Sequence, residues 1–65
     1  MKVWILYYYW IRYDESGFGI IGVYASEELA MRGYVATLND KKYTGGYLGI
    51  SESDLNIEEW EIVTK

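Results

Sequence analysis

The sequence predicts an α+β fold: a single ββαβ domain, with a three-stranded antiparallel sheet in the order 2-1-3 and one helix packed on one face. Three observations lead there. Residues 3–13, VWILYYYWIRY, are aromatic and β-branched with no apolar–polar alternation through their middle. A strand that is apolar on both sides belongs at the centre of a sheet with both faces covered. A short polar turn separates this run from a second apolar run, GIIGVYA, and Ser26-Glu27-Glu28 then opens an amphipathic helix.

The first strand is expected over residues 2–13. Its odd positions carry Val3, Ile5, Tyr7, Tyr9 and Ile11, and its even positions carry Trp4, Leu6, Tyr8 and Trp10 between Lys2 and Arg12. Residues 14–17, DESG, read as the turn, with Gly17 supplying a positive φ at no steric cost and Asp14 bonding its own backbone. The second strand follows over 19–25, and the short connection makes the pair a hairpin. Gly22 within it signals a bulge or a close approach by a side chain, such as a tyrosine opposite.

A helix is expected over 26–38. Ser26 is a good N-cap, Glu27 and Glu28 complement the helix dipole, and Asn39 is a natural stop. Leu29, Ala30, Met31, Gly33, Tyr34, Thr37 and Leu38 sweep one arc, with Glu28, Arg32 and Val35 opposite. Gly33 costs a helix interior about 1 kcal/mol relative to alanine, and its place on the apolar arc lets the helix approach an aromatic on the sheet. Residues 39–55 read as an irregular loop, long for a compact domain, in which 46–50 form a short strand or pack as a loop. The last strand, 56–64, has glutamates on both faces, as a charge-protected edge strand does. Placing it beside the first strand makes all neighbours antiparallel and gives the 2-1-3 order, with a right-handed crossover from the second strand.

The chain has 65 residues, so residues 1–65 are taken as one domain. Domains of this size are marginally stable and usually need a disulfide, a metal or a partner subunit. There is no cysteine and no histidine, which leaves an aromatic core or self-association. The formal net charge of −4 argues against binding along a phosphate backbone and permits a basic partner surface. The apolar N-terminal run is too short to span a bilayer and is broken by tyrosines and Arg12. A soluble, cytoplasmic chain is expected, without a membrane role.

Chemistry is sparse. Catalytic triads and zinc sites need histidine or cysteine. Glu58 and Glu59, or Glu59 and Glu61, are paired carboxylates, but a solvated edge strand explains them more simply. The glycine-rich 44–49 segment lies near Lys41 and Lys42, which suggests a ligand site of Lys41, Lys42, Tyr43, Gly45, Gly46 and Tyr47 for a phosphate-bearing molecule. Nucleotide fingerprints run from strand to glycine loop to helix, and here a helix comes first. Trp4, Tyr8 and Trp10 with Lys2 and Arg12 have the composition of a base-stacking face, against which the acidic total counts. Glu52, Asp54, Glu58, Glu59 and Glu61 form an acidic run with no basic residue among them, suited to docking on a basic surface.

One helix covers one face of a three-stranded sheet. The odd face, rich in β-branched residues, is expected to receive it, leaving Trp4, Leu6, Tyr8 and Trp10 exposed, although the reverse assignment stays open. The uncovered face would be a large apolar patch of the kind that marks an interface. The expected partner-binding residues are therefore Trp4, Tyr8, Trp10, Glu58, Glu59 and Glu61. The cover is expected to be a host protein, a second copy in a two-fold dimer or higher oligomer, or residues 43–50 folding back.

The segments VWILY, IIGVYASEELA and IEEWEI together resemble a family of short, uncharacterised bacterial and bacteriophage proteins, over most of the chain except 39–55. The resemblance carries no catalytic residues and implies a small phage-type protein, not an enzyme, that inhibits a host protein such as an antiviral defence factor by binding it in the host cytoplasm. Two further expectations are a protein that sequesters a nucleotide signal and a structural or regulatory homo-oligomer. No cofactor or metal is expected.

Overall fold

A computed structural model describes residues 1–45 and 49–63, with the backbone alone at Arg12. Strand β1, Lys2–Arg12, pairs antiparallel with β2, Glu15–Tyr24, on one side and with β3, Leu55–Glu61, on the other. The order is β2-β1-β3, so the doubly apolar strand is central, as its composition requires. Helix α1, Glu27–Leu38, and a short helix α2, Lys41–Thr44, follow β2. A 3-10 turn at Glu52–Asp54 leads into β3.

The hairpin is tighter than the sequence suggests. β2 begins at Glu15, and the turn is Tyr13-Asp14 in place of 14–17. The left-handed conformation falls on Tyr13, at φ 56°, and not on Gly17. Gly17 is needed elsewhere: it lies inside the strand, opposite Trp10. A β-bulge then shifts the register, with Leu6 opposite Gly22 but Tyr7 opposite Ile20, so that Ile21 is the extra residue. Ile21 packs towards the core while Ile20 stays exposed.

The even face of β1 is the covered one. Leu6 is fully buried and packs with Ile50 and Leu55, surrounded by Tyr8, Ile21, Tyr24, Tyr34, Leu38, Tyr43 and Ile57. This reverses the expected assignment. The reason lies in β2. The even positions Leu6, Tyr8 and Trp10 face Gly22, Gly19 and Gly17, which carry no side chain and leave room for rings beneath a helix. The ring of Tyr24 lies over Gly22 and against Gly33 of α1, so the helix glycine admits an aromatic as anticipated.

Ser26 caps α1, its hydroxyl accepting from the Leu29 N–H at 3.2 Å. Ala30 and Thr37 are buried, whereas Leu29 and Met31 are exposed, so the buried stripe is narrower than the apolar arc. The described part of the 39–55 segment holds more regular structure than the irregular loop expected. Asp40 caps α2 by accepting from the Lys42 N–H, and the Ser51 N–H donates to the Asp54 carboxylate in a capping box. Tyr43 and Ile50 bring this segment onto the same face as α1. Helix α1 and the described part of this segment thus share one side of the sheet.

Candidate functional site

The odd positions of β1 point away from the helix. Residues directly opposite in a ladder share a face, and the register therefore gathers Val3, Ile5, Tyr7, Tyr9 and Ile11 from β1 with Phe18, Ile20 and Val23 from β2 and Trp60 from β3. Phe18 is 61% exposed, Ile20 and Val23 58% each, and Trp60 55%. Tyr9 and Ile11 are exposed as well. Protein surfaces carry scattered apolar side chains, but a contiguous set of this kind marks a contact surface.

Polar groups on this face are few. Ser16 faces Ile11, and on β3 the face holds Asn56 and Glu58. Tyr7 sits beside Phe18 with ring centroids 5.5 Å apart and planes tilted by 41°, a favourable aromatic geometry. Desolvation by its neighbours pushes the pKa of the Tyr7 phenol up from its ordinary value of 10.0, and the charge of Glu58 and a hydrogen bond to its carboxylate push it the same way. The phenol is held neutral and spans the β1–β3 boundary diagonally, since Glu58 lies opposite Ile5.

The sequence-predicted sites are distributed differently. Trp4, Tyr8 and Trp10 lie on the helix-covered face and not on the open one: Tyr8 packs on the core, and the Trp10 ring lies over Gly17. Trp4 lines a groove of about 240 Å³ with Glu27, Met31, Ile57 and Glu59. Of the three predicted glutamates only Glu58 shares the open face. Glu59 and Glu61 lie on the covered side, where Glu59 pairs with Lys2 at 3.0 Å and Glu61 with the N-terminal ammonium at 3.3 Å. The acidic stripe is thereby split between the two sides of the sheet.

The expected ligand site does not assemble as a phosphate cradle among the described residues. Lys41, Lys42 and Tyr43 form α2, Gly45 ends it, and Tyr43 is turned onto the core. A nucleotide loop needs a helix that begins after the glycines, with free N–H groups facing the ligand. Gly46 and Tyr47 lie outside the described residues. A recess lined by Tyr34, Ser51, Glu52 and Ser53 has no basic side chain among its described lining to meet an anion. No group of three or more His, Cys, Asp or Glu side chains that could hold a metal occurs among the described residues, and no helix there is long and apolar enough to cross a membrane.

Sequence reasoning missed Phe18, Ile20, Val23 and Trp60. A usable signal was present: the alternation of Gly17 and Gly19 with Phe18 and Ile20 assigns the glycines to the side where large rings need space, and the bulky residues to the other.

Fold and surface together define a class: a small two-layer α+β protein whose sheet, among the described residues, is covered on one side. Within that class, the chain belongs to the family described as a domain of unknown function, DUF7336, whose match extends over residues 1–64. No curated protein and no solved structure matches the chain.

Proposed function

We propose that this protein works by binding other protein rather than by catalysis, and that it does so through the uncovered face of the sheet. One observation carries the reading: Tyr9, Ile11, Phe18, Ile20, Val23 and Trp60 stand exposed side by side on one face. Leaving such a surface in water forgoes roughly 25 cal/mol for each Å² of apolar area that a partner would bury. Tryptophan, tyrosine and phenylalanine are also the residues enriched at interface centres.

The particular form we favour is a phage-type protein that acts in the host cytoplasm and inhibits a host protein, which it meets with the open face or, where a second copy covers that face, with the acidic edge at β3. Its support is the resemblance of the VWILY, IIGVYASEELA and IEEWEI segments and the net charge of −4, which suits a basic target. The nucleotide-sequestering alternative has less support, because Lys41 and Lys42 flank no preformed anion site among the described residues.

The test is a photo-crosslinking amino acid placed in living cells at Phe18 on the open face and, as a control, at Val35 on the outer side of α1. Adducts with protein of any identity from position 18, and none from position 35, are expected. An absence of protein adducts from position 18 would overturn the reading.

A further inference from the structure

We propose that the occupant of the open face is a second copy of this chain, stacked sheet on sheet about a two-fold axis to give a four-layer α/β/β/α dimer. The inference rests on the binding role of the open face and names its partner.

The first ground is the poverty of the monomer's core. Leu6, Ala30, Ile50 and Leu55 are its buried apolar residues among those described, and Leu6 is the one large side chain that is fully enclosed. The shortest extent of the chain is 15 Å, the depth of one sheet and one helix. Cysteine and histidine are absent, so neither a disulfide nor a zinc site strengthens the fold, and small domains in that position use subunit contacts. A cover required for the chain's own stability must be present whenever the chain is made, and a second copy meets that condition.

The second ground is area. The strip of β1 from Val3 to Ile11 is about 30 Å long, and three strands span about 15 Å, so the patch projects onto roughly 400 Å² before side-chain relief is added. Exposed Met1 and Ile62, joined by a hydrogen bond from the Ile62 N–H to the Met1 carbonyl just past the β1–β3 ladder, extend its margin at one end. A stable dimer buries about 800 Å² per copy, a value within reach of a ridged face with this projection. Two twisted sheets of this size stack about 10 Å apart with their strands nearly aligned.

The third ground is charge. The chain is acidic overall, yet Glu58 is the only carboxylate among the strand residues of the open face, because Glu59 and Glu61 lie on the other side. Self-repulsion across the stack is therefore small. A two-fold axis along β1 lays each copy's β2 over the other's β3 and keeps the two Glu58 carboxylates on opposite flanks. In that arrangement the β2 flank of each copy, with Phe18, Ile20 and Val23, faces the β3 flank of the other, with Asn56, Glu58 and Trp60.

The experiment uses the purified chain, its mass followed by light scattering over a dilution series, with Phe18→Lys, Ile20→Lys and, as control, Val35→Lys. Twice the 7.6 kDa chain mass is expected for the parent and the control, and the single-chain mass for the two open-face variants. The photo-crosslinker at position 18 in the same pure sample provides a second readout should those variants unfold, and it should yield a species of two-chain mass that position 35 does not. A parent that stays at single-chain mass throughout, or a dimer whose position 18 gives no two-chain adduct, overturns the proposal. If foreign adducts still form from position 18 in cells, the binding role stands and only the self-pairing fails. If they do not, both fail.

Discussion

The indole of Trp10 occupies the space that a side chain at Gly17 would need: a β-carbon built there would lie 2.3 Å from Cε2 of the ring. The same relationship recurs one step along the ladder, where a β-carbon at Gly19 would lie 2.4 Å from the Tyr8 ring. These cross-strand pairs explain how two large aromatics fit on the side of the sheet that also carries the helix. Gly17→Ala and Gly19→Ala must each displace a ring, and overpacking of this kind costs about 1–3 kcal/mol. Urea unfolding should show the loss in both variants, and unchanged midpoints would mean that the rings move aside freely.

Gly33→Ala sets two effects against each other. Alanine raises helix propensity by about 1 kcal/mol, but its β-carbon would lie 2.3 Å from the Tyr24 hydroxyl oxygen and 2.6 Å from Cζ. The clash should win in the parent, so the variant loses stability. In a Tyr24→Ala background the same substitution should become neutral or stabilising. A thermal-unfolding double-mutant cycle measures the reversal of sign, and equal effects in both backgrounds would remove Tyr24 as the cause.

The two faces should respond oppositely to truncation. Leu6→Ala empties a fully buried site and should cost about 2–5 kcal/mol, enough to unfold a large fraction of so small a domain. Ile20→Ala, on the open face, should keep the circular dichroism of the fold at high concentration and lower the unfolding midpoint mainly on dilution, as the loss of a subunit contact does. A concentration-independent response in Ile20→Ala would place its effect within the monomer.

Tyr7 should confer a pH dependence at the alkaline end. Its folded pKa lies above the unfolded value of 10.0 because desolvation and Glu58 both disfavour the phenolate. Below 10 the phenol is neutral in both states and its contribution is fully present. Above 10 the unfolded chain ionises first, so the contribution declines until the pH passes the folded pKa. The stability difference between the parent and Tyr7→Phe should therefore be constant through neutral pH and change only above about pH 10. A difference that varies between pH 5 and 8 would point to another group.

Tyr13 occupies a left-handed backbone conformation, φ 56°, at the hairpin turn with its side chain fully exposed. A residue with a β-carbon pays about 1–2 kcal/mol there, and glycine does not. Tyr13→Gly should consequently raise the unfolding midpoint, less the entropy that glycine adds to the unfolded chain. A lowered midpoint would show that the ring itself makes a stabilising contact.

Much of the architecture was legible in the chain because it follows from local chemistry. The aromatic run in β1, apolar on both faces, demanded a central position. Ser26 followed by two glutamates announced the helix, and the charges of β3 marked an edge. Those signals act within a few residues and depend on backbone sterics, capping and solvation, so they determined the three strands, α1 and the 2-1-3 order, but not α2 or the 3-10 turn within 39–55. Which face of β1 lies under the helix was decided by tertiary structure. Both faces are apolar, and hydrophobicity alone does not choose between them. The choice came from pairing: Leu6, Tyr8 and Trp10 stand opposite Gly22, Gly19 and Gly17, and only the assembled ladder brings each large side chain to its glycine. The same register turned Phe18, Ile20 and Val23 outward with Tyr7 and Tyr9, because side chains alternate across a strand and the β-bulge at Ile21 shifts that alternation by one residue, so that Val23 and not Gly22 joins Phe18 and Ile20.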